Sequence, residues 1–270
     1  MNRLRLTNKL CFAAAFCLAA LFCATPMLAQ RGGRGRGGDD PDQGGQAQSG
    51  PKIADPKEAD AFRAFLNAKG DDKKISTGTQ FLDEYPKSVA AAAVADQVVA
   101  LDYKKSKWPA FYAASNDALT INPNNVGVLA LTGWVIARNF QNGQTSPTLD
   151  QAEADGKHAL ELLATMQKPQ TLTDEQFEQL KATMDSEAHS ALGLVYAREQ
   201  KPQDAAAQLE QVAQPDATDL FMLGAAYEMM GKHVEAAQQF KKCSAMSGPL
   251  QTPCTTNATD TAKEGPDATQ

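Results

Sequence analysis

The sequence has few cysteines, few aromatic residues and no excess of positive charge. It contains five cysteines, 7% aromatic residues, and 26 Lys and Arg against 32 Asp and Glu in 270 residues. This composition argues against a disulfide-rich mini-protein and a strongly basic nucleic-acid binder. The apolar run at 10–24 is shorter than the roughly 20 residues that span a bilayer, so a polytopic membrane protein is also disfavoured.

Motifs for catalysis are absent as well. The sequence has no H-E-x-x-H, G-x-S-x-G, phosphate-binding-loop or C-x-x-C motif. His158, His189 and His233 each fall on a different predicted helix, without a second ligand type at metal spacing. We therefore expect no enzymatic activity, cofactor or metal site. The remaining enzymatic alternative is a site of scattered residues around the loop 139–149.

Residues 1–29 have the pattern of a signal peptide. Arg3, Arg5 and Lys9 precede the apolar run, and Ala29 offers a small residue for cleavage before Gln30. Cleavage there leaves 23 basic against 32 acidic residues, a net charge of −9. Met27 is bulkier than the usual residue at its position in such sites, so an uncleaved N-terminal anchor is the alternative.

Both ends of the remaining chain read as disordered. Residues 30–54 contain the run RGGRGRGG followed by three aspartates, which indicates a flexible linker. RNA binding, the alternative for such a run, is disfavoured because it lacks interleaved aromatic residues. In the C-terminal tail, 249–270, the stretch from Thr255 to Gln270 has no large apolar residue and is predicted to be disordered.

The central region, 55–248, has helical spacing and repeats itself. Two segments carry a Leu-Gly pair, a Tyr three residues after the Gly and an Ala nine residues after the Tyr. Their members are Leu192, Gly193, Tyr196 and Ala205 in the first segment, and Leu223, Gly224, Tyr227 and Ala236 in the second. This order of small and large residues resembles the tetratricopeptide repeat, a 34-residue helix–turn–helix unit.

The resemblance implies an all-α, right-handed α-solenoid of about five helical hairpins over 55–248. Small residues would lie where the two helices of a hairpin approach, and large residues would fill the space between neighbouring hairpins. The packing residues are Gly133, Gly193, Tyr196, Gly224, Tyr227, Ala236 and Phe240. We expect an enlarged loop at 139–149, a helix over about 150–166 and one long helix from Thr173 to Gln200. A non-repetitive helical bundle is the alternative.

The resemblance also implies a peptide-binding groove lined by the first helix of each hairpin. Carried onto this sequence, the groove positions are Asp96, Tyr103, Lys104, Trp134, Arg138, Arg198, Phe221 and Met229. Three of them are cations in successive units, which could receive the carboxylates of an extended peptide. The alternative is a row of solvated charges that lie over the helices.

Two cysteines, Cys243 and Cys254, follow the predicted signal peptide. In an oxidising compartment they could form one disulfide that holds the C-terminal tail over the end of the stack. The alternative is that Cys243 packs as a small apolar residue while Cys254 lies free in the tail.

Together these features predict a non-catalytic scaffold, exported to a bacterial periplasm, that binds a protein or peptide of the cell envelope. No nucleic-acid partner is expected. A membrane-tethered assembly factor with an uncleaved anchor is the alternative, and only that alternative requires the membrane.

Overall fold

A computed structural model describes residues 52–264 of the chain, and within that range the fold is entirely helical. The predicted signal peptide, nearly all of the predicted linker and the last six residues lie outside the described residues. The eleven helices are α1 Pro56–Asn67, α2 Asp71–Glu84, α3 Ala91–Lys104, α4 Trp108–Ile121, α5 Val126–Asn139, α6 Leu149–Thr165, α7 Asp174–Arg198, α8 Pro202–Leu209, α9 Ala217–Met229, α10 His233–Ser244 and α11 Gln251–Thr261. Of these helices, none has the length and apolarity needed to cross a bilayer.

The first ten helices form five consecutive hairpins, as the repeat spacing predicts. Neighbouring helices pack in chain order, from α1 against α2 to α9 against α10. The enlarged loop lies between the end of α5 and the start of α6. Helix α7 is longer than its counterparts, and its first half packs with α5 and α6 around Leu163, Leu180 and Met184. The structure is therefore an all-α solenoid.

Local capping sets where several helices begin. The Thr173 hydroxyl accepts a hydrogen bond from the Gln176 backbone, and the Gln176 side chain accepts one from the Thr173 backbone. This reciprocal arrangement satisfies two backbone donors that the start of a helix leaves unpaired. It explains why α7 begins at Asp174.

Glycines allow the two helices of a hairpin to approach closely. A Cβ atom on Gly193 would lie 2.5 Å from Leu209 Cγ in α8, and one on Gly224 would lie 2.7 Å from Phe240 Cε1 in α10. At Gly133 the nearest atom is a backbone oxygen, that of Ala152 in α6, at 3.0 Å. A larger side chain at these positions would push the helices apart.

The large residues of the repeat make different contacts. Phe240 packs on Gly224 within its own hairpin and also belongs to the core that joins this hairpin to the preceding one. Tyr227 reaches the preceding hairpin, where its hydroxyl donates to the Glu210 carboxylate. Tyr196 likewise donates to Glu153 Oε1 in α6, at 3.0 Å. Both residues belong to a core that joins the fourth and fifth hairpins and contains buried Ala236.

The prediction of a disordered C-terminal tail is wrong for residues 255–261. Residues 251–261 form α11, which packs against α10 with Cys254 and Thr261 buried. With partly buried Ala258, these residues recur at spacings of four and three, which places small side chains on one face of the helix. Small side chains suffice here because the helices lie close together.

A disulfide joins α11 to the last hairpin. The structure bonds Cys243 to Cys254 with their Cα atoms 5.8 Å apart, and both residues are fully buried beside Leu220. Helix α11 therefore covers the apolar face that the stack would otherwise expose at its C-terminal end.

Replacing Gly224 by Ala tests the close approach of α9 and α10. Alanine favours a helix over glycine by about 1 kcal/mol, so without the contact the variant would be more stable. Because the added methyl would meet the Phe240 ring at 2.7–3.0 Å, we expect a net loss of about 1–3 kcal/mol in the free energy of unfolding. Urea denaturation measures it.

A second variant makes this test specific. Phe240→Leu shortens the side chain that the new methyl would strike, so G224A should cost less in the F240L background than in the natural chain. Equal costs in both backgrounds would contradict the proposed collision.

Candidate functional site

The candidate site is the surface formed by the first helices of successive hairpins. We call it the first-helix surface and define it by the predicted groove residues Asp96, Tyr103, Lys104, Trp134, Arg138, Arg198, Phe221 and Met229. These residues lie on α3, α5, the second half of α7 and α9. The structure gives these residues different surroundings.

Aromatic residues link α3 to α5. The rings of Tyr103 and Trp134 lie 6.2 Å apart, edge to face, and Tyr103 is buried against Phe111 of α4. Trp134 is partly exposed and carries the Arg138 guanidinium 4.0 Å from its ring centre. Such a cation over an indole face is electrostatically favourable. This part of the surface is thus held together by its own side chains.

Asp96 faces the start of α5. Its Oδ1 accepts a hydrogen bond of 2.6 Å from Asn125, the capping residue of that helix. Burial raises the pKa of Asp96 to about 6, although the hydrogen bond from Asn125 acts in the opposite direction. Its role is to join two hairpins.

Arg138 is bound by carboxylates of its own chain. Its Nη2 lies 3.0 Å from Asp216 Oδ2 and 2.9 Å from Asp219 Oδ1, and its Nη1 donates to Ser190 Oγ at 2.6 Å. The side chain is only 12% exposed. The Arg138 guanidinium, predicted to receive a partner's carboxylate, is therefore already paired with two carboxylates at the start of α9.

The two aspartates also begin α9. Asp216 and Asp219 form its capping box, in which each side chain accepts from the backbone of the other. Burial raises the pKa of Asp216, but Arg138 and backbone hydrogen bonds outweigh it, leaving that pKa below its ordinary value. For the more deeply buried Asp219, burial dominates and the pKa is raised. Two acidic residues three positions apart before an apolar run are the sequence signal for this cap.

Glu187 is a buried acid that the sequence analysis missed. It lies in α7, and among residues 52–264 its Oε2 has no hydrogen-bond partner. Burial raises the pKa of Glu187 to about 8, with the Arg138 charge lowering it in part. Glu187, Ser190 and Leu194 are all buried at spacings of three and four, so the helical period could have indicated its inward position.

The other two cations differ from Arg138. Lys104 is exposed and pairs with Asp71 of α2 at 2.8 Å, a contact typical of surface charges. Arg198 is exposed, and its Nε donates to the backbone oxygen of Ala137 at 3.2 Å. Within the described range, no side chain binds its two Nη nitrogens. Of the three predicted cations, Arg198 is the one that pairs with no carboxylate among the described residues.

Apolar residues on α9 continue the surface beyond Arg198. Phe221, Met222 and Ala225 are partly exposed and pack against the core shared by the last two hairpins. Met229, at the end of α9, is 56% exposed. The Arg198 guanidinium, whose Nη nitrogens bind no described side chain, and the partly exposed apolar side chains of α9 therefore lie on the first helices of successive hairpins.

An open pocket of about 480 Å³ lies at the last two hairpins, among α8, α9 and α10. It is mainly apolar and lined in part by Leu209, Val212, Leu220, Leu223, Tyr227 and Met246. The loop 139–149, which the enzymatic alternative invoked, does not line this pocket.

The buried Glu187 predicts a pH-dependent stability. An unfolded glutamate ionises near pH 4.5, whereas the pKa of Glu187 is raised to about 8, so folding keeps its proton over that interval. Its contribution to stability is therefore present at low pH and lost as the pH rises through this window. Because glutamine stays neutral, E187Q should raise Tm relative to the natural chain more at about pH 9 than at about pH 5.

The matched control for that measurement is Glu178→Gln, an exposed position on the same helix. Its Tm difference from the natural chain should be the same at both pH values. A pH-independent difference for E187Q would contradict the buried, protonated state of Glu187.

No family model matches the chain, and no curated protein matches it. Among solved structures, it is similar to the TPR domain of P58(IPK), with a TM-score of 0.32 and 14% identity over 77% of this chain and 55% of that one. The chain thus spans about half of that domain.

Two bacterial structures are similar over nearly their full length. A thermophilic TPR protein of Thermus thermophilus has a TM-score of 0.37 and 16% identity over 76% of this chain and 99% of that one. A tetratricopeptide repeat protein from Parabacteroides merdae has a TM-score of 0.26 and 12% identity over 76% and 98%. The resemblance of this chain to tetratricopeptide repeats rests on its own repeat spacing and hairpin packing.

Proposed function

We propose that the protein is a non-catalytic scaffold that binds a peptide segment of a protein partner on the first-helix surface. The observation that carries this proposal is the combination of Arg198, whose Nη nitrogens lack a partner among the described residues, with partly exposed Phe221 and Met229. A solenoid presents such residues on successive repeats, where they can meet successive residues of one extended chain.

The geometry indicates which types of residue the bound segment should contain. A guanidinium binds a carboxylate through two parallel hydrogen bonds, so Arg198 suits an acidic side chain or a C-terminal carboxylate. The side chains of α9 suit apolar residues of the same segment. Arg138 and Lys104 contribute less because Asp216, Asp219 and Asp71 already pair with them. Recognition is therefore assigned to the last two hairpins.

The proposed compartment is the periplasm of a bacterial cell envelope, where the partner would also be found. The charge and apolar pattern of residues 1–29 supports export. The Cys243–Cys254 disulfide adds support, since such bonds persist mainly in oxidising compartments.

Site-specific crosslinking tests the binding surface. A photoreactive amino acid placed at Met229 in the full chain should crosslink to a partner in intact cells. The same group at Val89, which is 71% exposed outside the first-helix surface, serves as the control and should not. Adding Arg198→Glu should reduce the Met229 crosslink at least about tenfold, because it replaces an anchoring cation with a repelling charge.

Thermal unfolding accompanies the crosslinking. R198E should leave Tm nearly unchanged because Arg198 is exposed, so loss of the crosslink would then report on binding. An equal yield of the same product from Met229 and Val89, or a Met229 crosslink insensitive to R198E, would refute this binding surface.

The N-terminal residue of the protein recovered from the periplasmic fraction tests export. We expect the mature chain to begin at Gln30. Retention of Met1 on protein that fractionates with membranes would instead favour the tethered alternative.

A further inference from the structure

Three side chains with metal-ligating groups lie together where the last hairpin contacts the end of α11. Glu228 lies in the last turn of α9, His233 is the first residue of α10, and Glu264 follows α11. His233 Nδ1 is 3.7 Å from Glu228 Oε1 and 3.4 Å from Glu264 Oε2. All three ligand atoms lie within 4.8 Å of one another. The chain thus brings together groups that are 36 residues apart in the sequence.

The imidazole nitrogen in this cluster is buried without a hydrogen bond. His233 Nδ1 is inaccessible to solvent and, among the described residues, neither carboxylate accepts from it with hydrogen-bond geometry. A buried polar nitrogen is normally satisfied by a partner, because leaving it unpaired costs free energy. A ligand placed among the three side chains would satisfy it.

Glu228 is held in place by a side chain behind it. Its Oε2 accepts a 2.6 Å hydrogen bond from the hydroxyl of Thr261, which is buried in α11. Its Oε1 faces the imidazole. An outer hydrogen bond that orients a carboxylate in this way is a regular feature of metal sites.

We propose that Glu228, His233 and Glu264 bind a zinc ion that fastens α11 to the last hairpin. Tetrahedral zinc has ligand bonds of about 2.0–2.2 Å, which places ligand atoms about 3.3–3.6 Å apart. The two histidine–carboxylate distances, 3.4 and 3.7 Å, are close to that spacing. Water completes the fourth position. An imidazole nitrogen in the set favours zinc over magnesium or calcium, which prefer oxygen ligands.

The sequence predicts no metal site, because none of its three histidines has a second ligand type at metal spacing. Glu228 and His233 are separated by the turn between α9 and α10, and Glu264 arrives through α11, which was predicted to be disordered. The ligands therefore come together only once the C-terminal helix is folded onto the stack.

Zinc titration of the untagged, oxidised full chain, freed of metal by a chelator, tests this proposal. Calorimetry should give one zinc ion per chain at His233, and zinc should raise Tm by several degrees, whereas magnesium should not. His233→Gln should abolish this binding. His158→Gln, which removes a histidine in α6, is the matched control and should retain it.

Two further variants separate ligand loss from unfolding. Glu264→Gln alters an exposed residue beyond the last helix, and should weaken zinc binding at least about tenfold with unchanged helicity. Thr261→Val removes only the outer hydrogen bond and should weaken it about tenfold. Absence of zinc binding by the natural chain would overturn the proposal. Zinc affinities of H233Q and E264Q equal to that of the natural chain would also overturn it. A failure of the crosslinking experiment would leave these results unaffected.

Discussion

The architecture depends on helix backbones that approach too closely to admit a side chain at the contact point. At Gly193 and Gly224 a single added carbon would lie 2.5–3.0 Å from the partner helix's side chains. This closeness lets Leu209 and Phe240 pack flat against a backbone and allows a stack with few aromatic residues to bury its core. It also makes each hairpin a distinct unit that must bury its remaining apolar face on a neighbour, which is the condition for a solenoid.

A second constraint is electrostatic and acts across hairpins. Arg138 on α5 binds Ser190 on α7 and the capping box of α9, so one guanidinium connects three successive units. Removing charges from water is costly, and the cost is offset only where nearly every donor and acceptor is paired. The repeat register places Arg138 in the predicted groove. Because its donors are paired within the chain, Arg138 stabilises the fold instead of binding a ligand. The ligand-binding role is instead proposed for Arg198, which lies one repeat later and is exposed.

The features of this fold that could be predicted from the sequence are those that depend on residues close together in the chain. The distance from Leu192-Gly193 to Tyr196 and Ala205 lies within one hairpin, so the repeat and its helices are readable from the chain. The partners of Arg138 are not readable in this way, because Asp216 and Asp219 lie 78 and 81 residues away and meet it only when the hairpins are stacked. Helix α11 was missed for another reason. Its buried face consists of small residues such as Ala258 and Thr261, and composition alone reads such residues as a polar tail.

At the C-terminal end of the solenoid, close helix packing and polar contacts act together. A solenoid gains stability from each neighbouring interface, so its last repeat depends on whatever covers the exposed face. Here α11 is fastened near one end by the disulfide at Cys254 and near the other by the hydrogen bond from Thr261 to Glu228. Glu228 immediately precedes Met229, the most exposed apolar residue of the first-helix surface. Anchoring Glu228 therefore orders the same helical turn that presents Met229, and it reduces the conformational entropy that turn would lose when a partner binds. The helix that closes the stack thus also prepares the surface proposed to recognise the partner.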